Sequence, residues 1–339
     1  MKYFRVVAPD LAIDLGTANT VVARLDHGIV IEEPTVVALD FRKREILAIG
    51  EQAKALIGTS PENIAAVRPL QGGAISDFDL TQALLEYYIH RAIRGISIVA
   101  PRLTISVPSG ATDVESRAVQ DACLQAGARD VYLVEETFAS AYGADVIQEN
   151  TKGTMVLNIG AGTTEVAVVS RYGVVTSETL AQGGDSIDRS IAETVRQRYG
   201  LELGENTAER LKIVLGSFHD DAQMQTFEVG GRDEATGMPK NIIVFSSDVT
   251  AAMHVFIQEL VDRIHRTLEK TPPELASDIM RSGLLLTGGG AQMRGLADYL
   301  ENEIGIPVTV SADPLHDTVH GVMNIMKNID AMQKRRGRA

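Results

Sequence analysis

The chain has 339 residues, of which 45% are hydrophobic and 23% charged, and its 32 basic and 45 acidic side chains give a net charge of −13. A chain of this length can form two domains, each with a buried core, and the negative charge argues against nucleic acid as a partner. The single cysteine, Cys123, excludes an internal disulfide, suits a reducing compartment and is expected to fill space in a core.

The N-terminal stretch MKYFRVVAPDLAID has no long apolar segment and contains two aspartates, so it does not resemble a signal peptide. No apolar run in the chain approaches the roughly 18 residues that a membrane-spanning helix needs. We therefore expect a cytoplasmic protein whose membrane contacts are peripheral.

Residues 13–22, IDLGTANTVV, predict a strand, a tight turn of small residues and a second strand. Residues 157–166, LNIGAGTTEV, repeat this pattern without a gap: apolar, Asp or Asn, apolar, Gly, two small residues, a polar residue and Thr. One glycine-rich turn is common, but two in register indicate a duplicated domain whose turns face each other.

Both turns have the composition of a phosphate-binding cradle, because small residues let successive backbone N–H groups approach phosphate oxygens. Five side chains could add hydrogen-bond donors: Thr17, Asn19, Thr20, Thr163 and Thr164. At the end of the first strand, Asp14 could hold a hydrated Mg²⁺, whereas Asn158 at the matching position carries no charge. Two structural hairpins without a ligand are the alternative.

Two later segments add to this pattern. The helical segment 204–217, GENTAERLKIVLGS, carries Glu209 and Lys212 three residues apart, and this spacing alone favours a surface ion pair over contacts with a ribose and a base. Segment 283–296, GLLLTGGGAQMRGL, predicts a strand, a glycine turn and a helix, and it lacks the Lys-Ser/Thr of a Walker A loop. Its three consecutive glycines leave room for a base or ribose against the backbone.

Together, the two hairpins, the glycine turn and the Glu-x-x-Lys helix resemble the actin, sugar-kinase and heat-shock chaperone ATPase superfamily. Within it, the chain is most similar to the MreB family of bacterial actins. The similarity runs from about Leu11 to about Val322 through six segments in the family's order: AIDLGTANTVV, PSGATDVESRAV, GTTEVAVVS, NTAERLKI, TLEKTPPELASDIM and LTGGGAQMRGL.

The resemblance implies an α/β protein with the actin-like ATPase fold: duplicated ribonuclease H-like domains, four subdomains and a nucleotide cleft that holds ATP or ADP with Mg²⁺. Domain I is expected at residues 1–145 plus 315–339, with subdomain Ib at about 32–70 inserted into subdomain Ia. Domain II is expected at 146–314, with subdomain IIb at about 182–245 inserted into subdomain IIa. Within subdomain IIb, residues 218–245 predict a hairpin.

The resemblance also implies the cofactor-binding residues. In the first turn they are Asp14, Gly16, Thr17, Ala18 and Asn19, with Asp14 holding Mg²⁺ through water. In the second turn they are Asn158, Gly160, Ala161, Gly162 and Thr163. Around the nucleoside they are Glu209, Arg210, Leu211, Lys212, Gly288, Gly289, Gly290 and Ala291, which reverses the preference for a surface ion pair.

A glutamate that precedes a helix is thought to orient the attacking water in this family. In the segment LVEETFASAYG we assign this role to Glu136 rather than Glu135, with Thr163 assisting. The alternative is that both acids only favour the positive end of the following helix.

Three positions depart from the family pattern: Asn158 replaces an aspartate, Ala161 a glycine and Thr137 a proline. Asn158 removes a charge that would orient Mg²⁺ waters. Ala161 weakens binding if its φ must be positive, and Thr137 loosens the turn that aims Glu136. We therefore expect nucleotide binding with slow hydrolysis, a slow Mg-dependent ATPase at most.

The resemblance further implies filaments at the inner face of the cell membrane that scaffold cell-wall synthesis and determine rod cell shape, with partners in the elongation machinery such as MreC and RodZ. In the loop 94–102, Ile96, Ile98 and Val99 are expected to insert shallowly into the membrane, or else they lead into a buried strand. The basic tail, 333–338, is a second candidate for anionic lipid.

Two other functions fit the sequence. The first is a nucleotide-binding regulator that does not polymerise. The second, less favoured, is a small-molecule kinase of the same superfamily, which would need an acid near the position of Asn158.

Overall fold

The computed structural model describes residues 4–7, 9–93, 96–147, 153–219 and 224–336. Up to residue 147 the strands are β1 (Phe4–Val7), β2 (Leu11–Leu15), β3 (Asn19–Arg24), β4 (Gly28–Pro34), β5 (Val37–Asp40), β6 (Glu45–Ile49), β7 (Ile64–Val67), β8 (Leu70–Gln71), β9 (Ala74–Ile75), β10 (Ile96–Val99), β11 (Arg102–Val107) and β12 (Asp130–Glu135). The helices of this part are α1 (Glu51–Lys54), α2 (Phe78–Ile93), α3 (Asp113–Gln125) and α4 (Glu136–Gly143).

From residue 153 onward the strands are β13 (Thr154–Ile159), β14 (Thr164–Ser170), β15 (Gly173–Leu180), β16 (Leu201–Glu202), β17 (Thr226–Asp233), β18 (Pro239–Phe245), β19 (Leu284–Thr287) and β20 (Val308–Val310). The helices are α5 (Gly184–Tyr199), α6 (Glu205–Leu215), α7 (Ser246–Glu269), α8 (Pro273–Ser282), α9 (Leu296–Ile304) and α10 (Asp317–Arg336), and a short 3₁₀ turn spans Gly289–Gln292.

Two five-stranded sheets have the same topology. The first sheet has the order β12-β11-β2-β3-β4, and the second sheet has the order β20-β19-β13-β14-β15. In each, two hairpins join three consecutive antiparallel strands, and two later strands are added in parallel beside the first of them. The repeated segments form β2–β3 and β13–β14, so the predicted duplication is confirmed.

Strand alternation decides which side chains the two sheets present to each other. In β2, Ile13 packs with the core that includes α2 and α3, whereas Ala12 packs with α10. In β13, Val156 packs with α4. Asp14 and Asn158 each come two positions later, so both lie at strand ends on the faces directed toward α4 and α10.

Helices α4 and α10 pack against each other through glycines. A Cβ added to Gly143 of α4 would overlap the carbonyl oxygen of Asp317, and one added to Gly321 of α10 would overlap the carbonyl oxygen of Ala139. Because both helices also pack on the sheets, this backbone contact fixes how the first half of the chain meets the second.

Two three-stranded sheets lie within the stretches expected for the smaller subdomains. One has the order β6-β5-β7 and the other β16-β17-β18. Strands β17 and β18 form the predicted antiparallel hairpin, and residues 220–223 ahead of it lie outside the described residues.

The segment expected to meet a membrane forms a strand of its own. β10 runs parallel to β1, and the side chain of Ile98 is 66% exposed. Residues 94 and 95, the side chain of Ile96 and the side chains of the tail 333–338 lie outside the described part of the chain. No described helix is both long enough and apolar enough to cross a membrane.

We expect Gly321→Ala to lower the free energy of unfolding by about 1–3 kcal/mol, because the added methyl group forces two packed helices apart. Gly204→Ala is the matched control, since a Cβ there meets nothing within 4 Å. Urea unfolding followed by circular dichroism measures both. Equal stability of the two variants would contradict the glycine contact.

Candidate functional site

A cleft of about 430 Å³ opens where the two repeated turns face each other. Its walls are the β2–β3 turn, the β13–β14 turn, the first residue of α4, the start of α5, one side of α6 and the glycine turn after β19. Both sheets therefore contribute to one site, and neither supplies it alone.

The two repeated turns are in direct contact. A Cβ added to Gly162 would lie 2.5 Å from Oγ1 of Thr17, so position 162 has no room for a side chain. Thr17 and Gly162 both line the cleft, so the two sheets meet at its wall.

Each turn is closed by the same backbone hydrogen bond. The N–H of Gly16 donates to the carbonyl of Asn19 at 3.1 Å, and the N–H of Gly160 donates to that of Thr163 at 2.9 Å. Ala161, where the family pattern has glycine, is not among the residues with positive φ. Its methyl group therefore causes no backbone strain, and the condition under which weaker binding was expected is not met.

Carboxyl groups cluster beside the two turns. Asp14 accepts a hydrogen bond from Oγ of Ser106 at 2.8 Å, and Glu136 accepts one from Nδ2 of Asn158 at 2.9 Å. Burial raises the pKa of Asp14 to about 6. Burial, and then the nearby carboxylates of Glu165 and Asp14, raise the pKa of Glu136 well above its usual value. The cluster therefore favours protons or a cation.

Of the two adjacent acids, only Glu136 lines the cleft. Glu135 is the last residue of β12, and its carboxylate accepts a hydrogen bond from the backbone of Val174. Burial is the main cause that raises the pKa of Glu135. This placement agrees with the choice of Glu136 for orienting water, and that role stays a prediction.

Sequence reasoning missed a further acid, Glu165. It lies in β14 opposite Asn158 and is 1% exposed. Its carboxylate accepts hydrogen bonds from the N–H of Ser109 at 2.7 Å, from Oγ of Ser109 at 3.3 Å and from Oγ1 of Thr179 at 3.4 Å. Burial nevertheless raises its pKa to about 7. One feature of the sequence could have indicated Glu165: it is the one acid in an otherwise apolar strand, and the first repeat has Val21 at the corresponding position.

Lys212 forms an ion pair with another helix. Its Nζ lies 2.9 Å from the carboxylate of Asp188 in α5 and donates to the carbonyl oxygen of Gly184 at 3.2 Å. The partner of Lys212 is therefore Asp188, not Glu209, and the surface ion pair considered from the spacing does not form. Burial raises the pKa of Asp188 to about 6, against the opposing effect of Lys212.

Most predicted binding residues line the cleft: Asp14, Gly16, Thr17, Ala18, Asn19, Asn158, Gly160, Ala161, Gly162, Thr163, Glu209, Lys212, Gly288, Gly289 and Gly290. Others considered for the site do not line it: Arg210, Leu211, Ala291, Thr20 and Thr164. The guanidinium of Arg210 lies 5.0 Å from the ring centre of Phe227, and Leu211 is fully buried in the core.

The glycine turn after β19 lies directly against the second repeated turn. Gly288 has a φ of 78°, and a Cβ there would overlap Oδ1 of Asn158. A Cβ on Gly290 would overlap the side chain of Ile159. Glycines are thus required here by the close approach of Asn158 and Ile159, independently of any ligand.

Several lining residues were not found from the sequence: Lys54, Arg68, Ser106, Gly184, Asp185, Asp188, Glu205, Pro314 and Leu315. Arg68, which follows β7, pairs with Glu205 at the start of α6 at 3.4 Å. The glycine pair in AQGGDS, just before α5, was a usable signal for Gly184. Lys54 and Arg68 give no local signal, because their surroundings in the chain resemble ordinary surface.

Comparison with known proteins agrees with this geometry. The model of the MreB/Mbl protein family matches residues 8–334. The cell shape-determining protein MreB of Escherichia coli (strain K12) is 42% identical over 97% of this chain and 97% of its own length. The crystal structure of MreB 5 of Spiroplasma citri bound to AMPPNP superposes with a TM-score of 0.91 at 30% identity, covering 97% of this chain and 98% of that one.

A further solved structure, the MamK double helical filament, superposes with a TM-score of 0.79 at 22% identity, covering 94% of this chain and 99% of that one. The two equivalent sheets around a shared cleft are thus the actin-like ATPase fold, as expected. The chain belongs to the MreB/Mbl family.

The raised pKa of Glu165 predicts how stability depends on pH. Between its ordinary pKa of 4.5 and about 7, the folded protein holds more protons than the unfolded chain. The stabilisation from this group is therefore complete below that range and is lost as the pH rises through it.

We expect the wild type to lose stability relative to Glu165→Gln when the pH is raised across this range. Urea unfolding without nucleotide or Mg²⁺ measures the difference, and Glu62→Gln, at an exposed position, serves as the control. A difference between wild type and Glu165→Gln that stays constant with pH would contradict the raised pKa.

Proposed function

We propose that this protein binds ATP with Mg²⁺ between the two repeated turns, assembles into membrane-associated filaments, and scaffolds the cell-wall synthesis that determines rod cell shape. The observation that carries the proposal is the contact between the two turns beside a cluster of buried acids. Such a site suits a triphosphate with a divalent cation. The AMPPNP bound to MreB 5 and the cell-shape role in the name of its Escherichia coli relative support it.

The two turns are suited to the phosphates. Their closest point, Gly162 against Thr17, has no bulky side chain, so backbone N–H groups and the hydroxyls of Thr17 and Thr163 can approach phosphate oxygens. Glu209 and Lys212 on one wall, and the turn 288–290 on another, would then surround the nucleoside. These walls come from separate elements, so binding would draw them together.

The acid cluster fits a magnesium-bound phosphate group. Asp14 lies close to Glu136, and a divalent cation would compensate the negative charge that burial disfavours at both carboxyl groups. No group of three or more His, Cys, Asp or Glu side chains among the described residues is arranged to hold a metal ion. Mg²⁺ would therefore be held by Asp14 through water, with phosphate oxygens as further ligands.

Slow hydrolysis follows from what Asn158 does. The Nδ2 group of Asn158 donates to a carboxylate oxygen of Glu136, and the remaining Oδ1 is a neutral acceptor, which holds metal-bound water more weakly than the aspartate of the family pattern would. Glu136 and Thr163 both line the cleft and are assigned to orient the attacking water. When bound, ATP would supply the electrophilic phosphorus and Mg²⁺ would offset its negative charge, while the residues of this chain would position the attacking water.

Assembly and membrane contact are the remaining parts of the proposal. MamK forms a double helical filament with this fold, which supports self-association. The exposed Ile98 beside the N-terminal strand supports contact with the inner face of the cell membrane. Through the elongation machinery, including MreC and RodZ, such a filament would direct wall synthesis.

The proposal as a whole is tested by calorimetry with AMPPNP and Mg²⁺, followed by pelleting with ATP and electron microscopy of the pellet. We expect binding and filaments. Binding without filaments would favour a nucleotide-binding regulator instead, and no binding at millimolar nucleotide would overturn the proposed function.

Asn158→Asp is expected to raise the single-turnover rate of ATP hydrolysis by about tenfold or more, because a carboxylate can orient metal-bound water and the nucleophile. Asn241→Asp adds the same charge at an exposed position of β18 and is the matched control. Release of labelled phosphate measures the rate. An unchanged rate in Asn158→Asp would contradict the role given to this residue.

Ile98→Glu is expected to abolish co-sedimentation with anionic liposomes while ATP-dependent filaments still form, because a charge cannot insert among lipid tails. Val255→Glu, at a residue of α7 that is 71% exposed, is the control. Liposome flotation with and without ATP measures binding. If Ile98→Glu floats with the liposomes as the wild type does, the membrane contact lies elsewhere.

A further inference from the structure

Glu165 does not line the cleft, yet it is a buried acid between the two sheets. We propose that Glu165 is a positioning residue: it holds the turn 108–110 of the first half of the chain against the second sheet, and through two hydroxyl groups it fixes the orientation of Glu136. This inference rests on the proposed nucleotide site, because Glu136 matters only if that site hydrolyses ATP.

The first step is a contact between the two halves of the chain. Ser109 follows β11 of the first sheet, and its N–H and Oγ both donate to the carboxylate of Glu165 in β14 of the second. The next residue, Gly110, packs so closely that a Cβ there would lie 2.5 Å from Oγ1 of Thr179 in β15. The turn 108–110 is therefore held on the second sheet by its hydrogen bonds to Glu165.

The second step links this turn to α4. Oγ of Ser109 lies 2.6 Å from Oγ1 of Thr137, which is fully buried. Because the Ser109 hydroxyl donates to Glu165, the Thr137 hydroxyl donates to Ser109. Thr137 directly follows Glu136, so the chain of hydrogen bonds ends at the peptide that carries the water-orienting residue. Where a loose turn was expected, Thr137 ties the start of the helix.

Glu136 is also held directly by a residue of the second sheet. Asn158, opposite Glu165 in the β13–β14 pair, donates directly to Glu136. One strand pair of the second sheet therefore holds Glu136 from two directions, directly and by way of the first half of the chain. Separating the two halves would break the Glu165–Ser109 contact and release Glu136, so the geometry for hydrolysis depends on their closure.

Two variants separate geometry from charge. Glu165→Gln can accept from the N–H of Ser109 and donate to its Oγ, whereas Glu165→Ala can do neither. We expect single-turnover hydrolysis to fall about tenfold or more in Glu165→Ala and to stay within about twofold in Glu165→Gln, with the Kd for AMPPNP changed less than about threefold in both. Ser109→Ala should slow hydrolysis as well, and the double variant should show less than the sum of the two effects.

Hydrogen exchange gives a second readout that does not depend on turnover. With AMPPNP bound, the peptide containing Glu136 should exchange faster in Glu165→Ala and unchanged in Glu165→Gln. Asp248→Ala is the matched control, because Asp248 is also a buried acid, bonded to Arg198 and Tyr199 away from the cleft. It should lower stability without affecting hydrolysis or exchange at Glu136.

The outcomes distinguish this inference from the proposed function. If the wild type does not bind AMPPNP, the nucleotide site itself is wrong. If it binds, and Glu165→Ala changes neither the rate nor the exchange, Glu165 is not a positioning residue. Equal slowing in Glu165→Gln and Glu165→Ala would show that charge, and not position, is what Glu165 supplies.

Discussion

The structure depends on two close contacts that leave room only for glycine, one between two helices and one between the repeated turns. Gly321 of α10 lies against the carbonyl of Ala139 in α4, and Gly162 of the second turn lies against Thr17 of the first. Flexible side chains would let the two halves shift, but glycine contacts hold them at one short distance. These contacts fix the positions of the cleft walls. The strand residues that line the cleft, such as Asp14 and Asn158, lie at strand ends on the faces that meet.

Much of this could be read from the sequence, because it follows from local periodicity. The repeat predicted the two turns, and the two-residue alternation of strands places Asp14 and Asn158 on the faces that meet. The corresponding rule for helices places Glu209 and Lys212 on one face of α6. Residues three apart share one side of a helix, so Glu209 and Lys212 line the cleft together, whereas Arg210 and Leu211 between them point elsewhere.

What the sequence did not reveal are the partners that lie far apart in the chain. Glu165 bonds to a residue 56 positions away, and Lys212 pairs with one 24 positions away. An acid in a strand suggests an exposed face, but the neighbours of Glu165 in β14 are buried on both sides of the strand. Neither pairing can be predicted from the neighbouring sequence, because each depends on how separate helices and strands pack together.

The acids near the turns explain why an amide is compatible with position 158. Asp14 and Glu136 are partly buried beside the fully buried Glu165, and loss of solvation raises all three pKa values. A fourth carboxylate at position 158 would add repulsion, whereas the amide of Asn158 donates a hydrogen bond to Glu136. On the proposed function, Mg²⁺ would replace the protons that this cluster holds near neutral pH, so binding of the metal and nucleotide would release protons. Asn158 thus stabilises the site when no nucleotide is bound. It lacks, however, the negative charge that would position the attacking water once the nucleotide is bound.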